Sequence, residues 1–243
     1  MIGWRAKFGV MVVCRNTILE PEFYRMAPEG VTFHFDRIGI VPGAEGESPE
    51  EVERRLKGYT EEAVACMRNF AKMPLDAIAF ACTGASFAEG PESDQKLIKR
   101  LGEIAPIPIT TTSTAVLEAL KAMEMNKVVV VTPYIRELNE KEKLFLEAHG
   151  ITVLRIESIP NVTVKSDVLP QTAYRLARQI DTAEATGVFI SCATLQSLEI
   201  IDTLETDLKK PVISSNQATF WKLMKMAGIR PSIKGYGRLL ESL

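Results

Sequence analysis

Hydrophobic and polar positions along the chain alternate between short apolar runs and longer stretches patterned at helical spacing. The apolar runs Phe8–Val13, Val31–Phe35, Ala77–Ala81, Ile107–Thr110, Lys127–Thr132, Thr152–Ile156, Gly187–Ser191 and Val212–Ser214 read as strands. Between them, Glu50–Met73 and Asn139–His149 mix charged and apolar residues at the helical period, and Gly150 stands where a helix would end. Ser48-Pro49-Glu50-Glu51 supplies an N-cap, a proline at the first helical position and early acids. Strands alternating with helices predict βαβ units and an α/β fold around mainly parallel sheets.

The pattern repeats. Gly9-Val-Met-Val-Val is echoed by Val128-Val-Val-Val-Thr, and Gly30-Val-Thr-Phe by Gly150-Ile-Thr-Val. Phe80-Ala-Cys82-Thr is echoed by Ile190-Ser-Cys192-Ala, and Pro108-Ile-Thr-Thr-Thr-Ser by Pro211-Val-Ile-Ser-Ser-Asn. Common order with shrinking offsets is what duplication of one α/β half, with shorter connections, would leave. The expected boundaries are a first half over 1–125, joined by the C-terminal helix at about 215–243, and a second over 126–214.

Composition narrows the function. The chain has 243 residues, 46% of them hydrophobic, and a formal net charge of −2. It carries no basic footprint for nucleic acid and no apolar run long enough to span a bilayer. Met1–Lys7 lacks the apolar stretch of a signal peptide, so the cytoplasm is the expected compartment. Cys14, Cys66, Cys82 and Cys192 show no C-x-x-C spacing and read as free thiols. His34 sits in a strand-like run and His149 at a helix end, with no metal-ligand spacing around either; no metal site is expected.

Cys82 and Cys192 each follow an apolar strand and precede small residues. In parallel sheets ligands bind beyond the carboxyl ends of the strands, where backbone N–H groups of strand-to-helix turns favour anions and thiolates. Two halves packed face to face would set one sulfur on each side of a small anionic ligand. Buried packing remains the plain reading of Cys14 and Cys66.

These motifs resemble the aspartate/glutamate racemase superfamily, and within it the branch of maleate cis-trans isomerases and arylmalonate decarboxylases. The most specific stretch is Lys210-Pro-Val-Ile-Ser-Ser-Asn-Gln-Ala-Thr-Phe-Trp221, continuing to Met226-Ala-Gly-Ile229. Amino-acid racemases typically carry Cys-Asn-Thr and Gly-Cys-Thr-His, where this chain has Cys82-Thr-Gly and Ser191-Cys-Ala-Thr. Arylmalonate decarboxylases have glycine in place of the first cysteine. Maleate isomerases keep both and add an asparagine after the first strand, a mid-chain tyrosine and a second asparagine, matched here by Asn16, Tyr134 and Asn161.

The resemblance implies two pseudo-symmetric halves with the active site between them. It implies cofactor-independent isomerisation of maleate to fumarate. Cys82 would be the nucleophile, forming a succinyl-cysteine, and Cys192 would manage the proton or assist electrostatically. Asn16, Tyr134 and Asn161 would hold the carboxylates, with the backbone and hydroxyl groups of Thr83, Gly84, Ala193 and Thr194 as further donors. A small dicarboxylate is the implied partner, and a homodimer or homotetramer the implied assembly. A racemase or decarboxylase using the same two thiols, or a small-anion binding protein, stays open on the residues alone.

Overall fold

In a computed structural model, which describes residues 2–39, 48–160, 162 and 164–243, the chain forms two four-stranded sheets. The first holds β1 (Ala6–Val13), β2 (Val31–Ile38), β3 (Ala77–Ala81) and β4 (Ile109–Thr111) in the order β2-β1-β3-β4. The second holds β5 (Lys127–Thr132), β6 (Thr152–Ser158), β7 (Gly187–Ile190) and β8 (Val212–Ser214) in the order β6-β5-β7-β8. Every pairing is parallel, and the two orders are the same once the second set is renumbered. The α/β fold with two repeated halves is as the sequence pattern implied.

Each predicted strand is present; Ala77–Ala81, Lys127–Thr132 and Val212–Ser214 keep their expected ends and the other five shift. β4 starts at Ile109 rather than Ile107, because proline at 108 has no N–H and joins the ladder only through its carbonyl, which accepts from Ile78 at 2.8 Å. The central strands are covered by helices on both faces, which is why they read as unbroken apolar runs. Val128, Val129, Val130 and Val131 are all fully buried.

Helices α1 (Leu19–Met26), α2 (Pro49–Phe70), α3 (Thr83–Phe87), α4 (Ser93–Gly102) and α5 (Thr112–Ala122) follow the strands of the first half. Helices α6 (Arg136–Ala148), α7 (Pro170–Ile180), α8 (Ile201–Leu208), α9 (Ser215–Met226) and α10 (Arg238–Glu241) follow those of the second. The start of α2 is a capping box: Ser48 accepts from the Glu51 N–H while Glu51 accepts from the Ser48 N–H. Past α6 the chain turns at Gly150 with φ +82°, a conformation that glycine adopts without strain.

The equivalent helices α5 and α9 pack against each other. Thr219 Oγ1 donates to Thr112 Oγ1 at 3.0 Å, and Lys222 Nζ meets Glu118 at 2.6 Å. Both helices are capped by the same device at a strand end. Thr111 Oγ1 accepts from the Thr114 N–H, and Ser214 Oγ from the Gln217 N–H. α9 follows the second sheet in sequence but lies against α1 and β3 of the first.

Candidate active site

The carboxyl ends of five strands supply the site. β3 delivers Cys82 and β7 delivers Cys192, one and two residues past the last strand position. β1 delivers Asn16, β5 delivers Tyr134, and β8 delivers Ser215 and Asn216. The two thiols act on each other electrostatically, and both act on the Tyr134 hydroxyl. The structure therefore brings Cys82, Cys192 and Tyr134 to one place. Asn161 lies outside the described residues.

Cys82 is the N-cap of α3, and the Ala85 N–H is directed at its sulfur. Burial pushes its thiol up to about 11, opposed by that N–H. The neighbouring Cys192 adds to the rise, while the Lys165 and Arg55 cations pull the other way. In the free protein at neutral pH Cys82 is thus a protonated thiol. Thr83 donates its hydroxyl proton to Ser215 Oγ at 3.0 Å. A Cβ on Gly84 would point toward Leu56 and Leu138 at ordinary contact distance, so this residue has only its backbone to offer a ligand.

Cys192 is built differently. Its φ is +103°, a left-handed backbone value that L-residues rarely hold and that costs on the order of 1–3 kcal/mol. Several polar side chains brace the turn. The Cys192 N–H donates to Ser215 Oγ at 3.0 Å. The Ala193 carbonyl accepts from Asn16 Nδ2 at 2.9 Å and from Asn216 Nδ2 at 3.1 Å. Thr194 is half-buried on the same turn.

Asn16 owes its place to two jobs. Its Oδ1 accepts from the Ile18 and Leu19 N–H groups, capping the entry to α1, while its amide crosses to the other half. Arg37 holds this turn from β2, donating to the carbonyls of Cys14 and Asn16.

Glu22 of α1 completes the bracing. It is buried, and it accepts from the Ser197 and Leu198 N–H groups and from Asn216 Nδ2 at 2.6 Å. Burial raises its carboxyl above the usual range, against these hydrogen bonds. The Cys192 loop is thereby tied to the first half of the molecule. Asn216 Oδ1 is left buried without a partner.

Tyr134 is within electrostatic reach of both cysteines. Its ring meets Phe87 of α3 edge-on, and Lys165 Nζ lies 5.0 Å from the ring centroid. Its hydroxyl is buried and has no direct hydrogen-bond partner. Burial raises this phenol well above its ordinary value, and the neighbouring Cys192 and Glu142 add to the rise. The nearby Ser191 hydroxyl works against it but gives its own proton to Glu142 at 2.5 Å.

Sequence reasoning missed Ser215, Asn216, Glu22, Glu142 and Lys165. The first two stand inside the quoted 210–221 stretch, where small polar residues at a strand end were a readable signal. The two acids occupy apolar stripes: Glu22 among Leu19, Phe23 and Met26, and Glu142 among Leu138, Phe145 and Leu146. An acid in register with such a stripe is the sign of a buried carboxyl. Cys14 and Cys66 are free thiols, and burial pushes the Cys66 thiol up to about 12. His34 contacts Thr32, and His149 the Phe145 carbonyl. Among the described residues no group of His, Cys, Asp and Glu is placed to hold a metal ion, and no helix is long and apolar enough to cross a membrane.

Known proteins share this fold. The maleate isomerase of Geobacillus stearothermophilus is 24% identical over 97% of both chains. The arylmalonate decarboxylase of Bordetella bronchiseptica is 31% identical over 80% of this chain and 81% of its own. Among solved structures, a Cys-to-Ser mutant of the Nocardia farcinica maleate cis-trans isomerase with a covalently bound succinylcysteine intermediate superposes with a TM-score of 0.86. It is 23% identical and covers 97% of this chain and 98% of its own. The sequence profile described as arylmalonate decarboxylase matches residues 44–240. With that match over most of its length and a relative at 31% identity, the chain belongs to the arylmalonate decarboxylase family.

Proposed function

We propose that this protein isomerises maleate to fumarate without a cofactor, by reversible addition of the Cys82 sulfur to the double bond. The observation that carries the reading is the pair of mutually interacting thiols on equivalent strand ends, facing one buried phenol with an unpartnered hydroxyl. Near-full-length likeness to maleate isomerases supports it, as does the succinylcysteine reported for the Nocardia protein. That adduct formed in a mutant lacking one cysteine, so a different cysteine carries it.

The chemistry balances without an outside reagent. As the Cys82 S–C bond forms, its thiol proton passes to the Cys192 side, replacing the one given up there, and the π bond becomes a single bond. The neighbouring carbon takes a proton, supplied from the Cys192 side, so sulfur and hydrogen have been added across the alkene. Rotation about the single bond follows. Loss of the proton and of the sulfur returns the trans alkene and both thiols.

Negative charge developing beside the attacked carbon spreads onto its carboxylate, where preorganised donors count most. Tyr134 Oη offers an unspent proton for this purpose. The second Nδ2 hydrogen of Asn16 and the backbone N–H groups around Gly84, Ala193 and Thr194 supply others, with Asn161 assigned by resemblance. Thr83 contributes by holding Ser215. Lys165 and Arg55 bring positive charge toward a dianionic substrate and toward Cys82. A racemase would dispense with the adduct, and Cys82 stands where the decarboxylases have glycine.

The same reading divides the chain into halves of 1–125 plus 215–243 and of 126–214. It assigns a cytoplasmic homodimer or homotetramer, checked by light scattering. Intact-mass measurement after brief incubation with maleate, with fumarate followed by NMR, tests the chemistry. Fumarate together with a succinyl-sized adduct on Cys82 is expected. Neither product nor adduct would overturn the assignment.

A further inference from the structure

Glu142 is an acid on the buried stripe of α6, only 1% exposed. Its Oε1 accepts the Ser191 hydroxyl proton at 2.5 Å, and its Oε2 has no hydrogen-bond partner. Ser191 immediately precedes Cys192. Tyr134 Oη, the unpartnered oxygen facing the thiols, is within electrostatic reach of Glu142. Two buried oxygens without partners thus sit together behind the second cysteine.

Among the described residues no cation pairs with the Glu142 carboxyl; Lys165 lies 5.0 Å from the ring centroid of the neighbouring Tyr134. From the end of β7 the carboxyl meets Ser191, and from the β5–α6 turn it meets Tyr134, with Cys192 and Cys82 beyond the phenol. The five residues of α3 carry no charge. Arg155 and Glu157 of β6 are exposed, and the half-buried Lys141 is paired with the exposed Glu53 of α2. Burial accordingly pushes the Glu142 carboxyl up to about 8, with the Ser191 hydrogen bond only partly opposing it. At neutral pH the group is mainly a carboxylic acid, with one proton to donate.

We propose that Glu142 is a positioning residue that works in its neutral form: it fixes Ser191, and through it the Cys192 turn, while keeping the wall behind Tyr134 free of negative charge. The inference rests on the isomerase reading, in which the substrate brings two carboxylates to that wall. Ionised Glu142 would repel them and draw the Tyr134 proton toward itself. Its ionisation therefore weakens substrate binding at alkaline pH, a loss read in KM more than in kcat.

Glutamine in this position keeps the shape and the acceptor for Ser191 but cannot ionise. For E142Q we expect kcat on maleate within about threefold of wild type at neutral pH, with the rise in KM above about pH 8 abolished. E142D, one methylene shorter, withdraws from Ser191 and should lose about tenfold in kcat with its fold intact by circular dichroism. A folded E142Q with kcat reduced a hundredfold or more, or one whose KM still rises above about pH 8, overturns the proposal.

A second measurement needs no turnover. Carbon-13 NMR of the substrate-free protein labelled at glutamate Cδ, assigned by signal loss in E142Q or E142D, reads the carboxyl directly. Titration near 8 is expected, and titration in the ordinary carboxylate range overturns the proposal. Absence of wild-type maleate turnover would instead remove the isomerase reading and leave the titration to decide the state of Glu142.

Discussion

The two cysteine turns occupy equivalent places in the repeated sheets and are held in opposite ways. Cys82 sits at relaxed backbone angles, φ −137° and ψ 101°, and caps a helix whose own Ala85 N–H reaches its sulfur. The Cys192 turn, at φ +103°, is held by hydrogen bonds that Asn16 and Asn216 donate to the Ala193 carbonyl and that Ser215 and Glu22 accept from the Cys192 and Ser197 N–H groups. One turn spends its local interactions on the sulfur. The other spends them on the backbone around the sulfur. Duplication supplied a matched pair of positions, and the surroundings then separated a turn whose contacts reach the sulfur from one whose backbone position is enforced.

Cys82→Ser breaks this contrast most severely. Serine oxygen is a poor nucleophile toward an alkene, so kcat should fall by at least about 10,000-fold with little change in fold, checked by fumarate formation and circular dichroism. Turnover by this variant near the wild-type rate would sink the assignment of roles. Cys192→Ser should cost about 100-fold or more while still allowing a succinyl adduct on Cys82, detected by mass spectrometry. Wild-type behaviour would mean that the second sulfur handles no proton.

Removing the shared hydroxyl is milder. In Ser215→Ala the Cys192 N–H and the Thr83 hydroxyl both lose their acceptor, each bond contributing about 1 kcal/mol. We expect roughly a tenfold loss of kcat with unchanged oligomeric state, since the misplacement is of atoms already packed. Unchanged kcat would show that the spacing of the turns does not depend on this atom.

Stability carries a separate signal, outside the rates. A carboxyl whose folded value lies above its unfolded one binds its proton more tightly in the folded state. For Glu142, with values of about 8 and 4.5, stability is greatest below the ordinary carboxylate range. It declines as pH rises toward about 8 and then levels. The decline contributes at most a few kcal/mol, on the order set by 1.4 kcal/mol per pH unit. Thermal melts from about pH 5 to 8.5 should show it, and E142Q should flatten it; parallel curves would refute the buried acid.

Much of the fold was legible because both central strands are apolar on both faces, and each stops where a small or polar residue must turn. Cys82 and Cys192 were singled out for that reason, and Tyr134 through the resemblance. Glu22 and Glu142 were not, because charged residues in helical stretches read as solvated faces, and one acid per stripe is a faint mark. Ser215 was hidden differently: its value lies in accepting from residues 132 and 23 positions earlier, a relation that no local pattern carries.

That oxygen has a wider implication. Because the Thr83 hydroxyl and the Cys192 amide both end on Ser215 Oγ, the width of the gap between the sulfurs is gauged from a single pivot. A chimera that exchanged one half for that of a relative would have to carry residues 83 and 215 as a matched set. Otherwise the jaws would be hung from different points, however well each half folded.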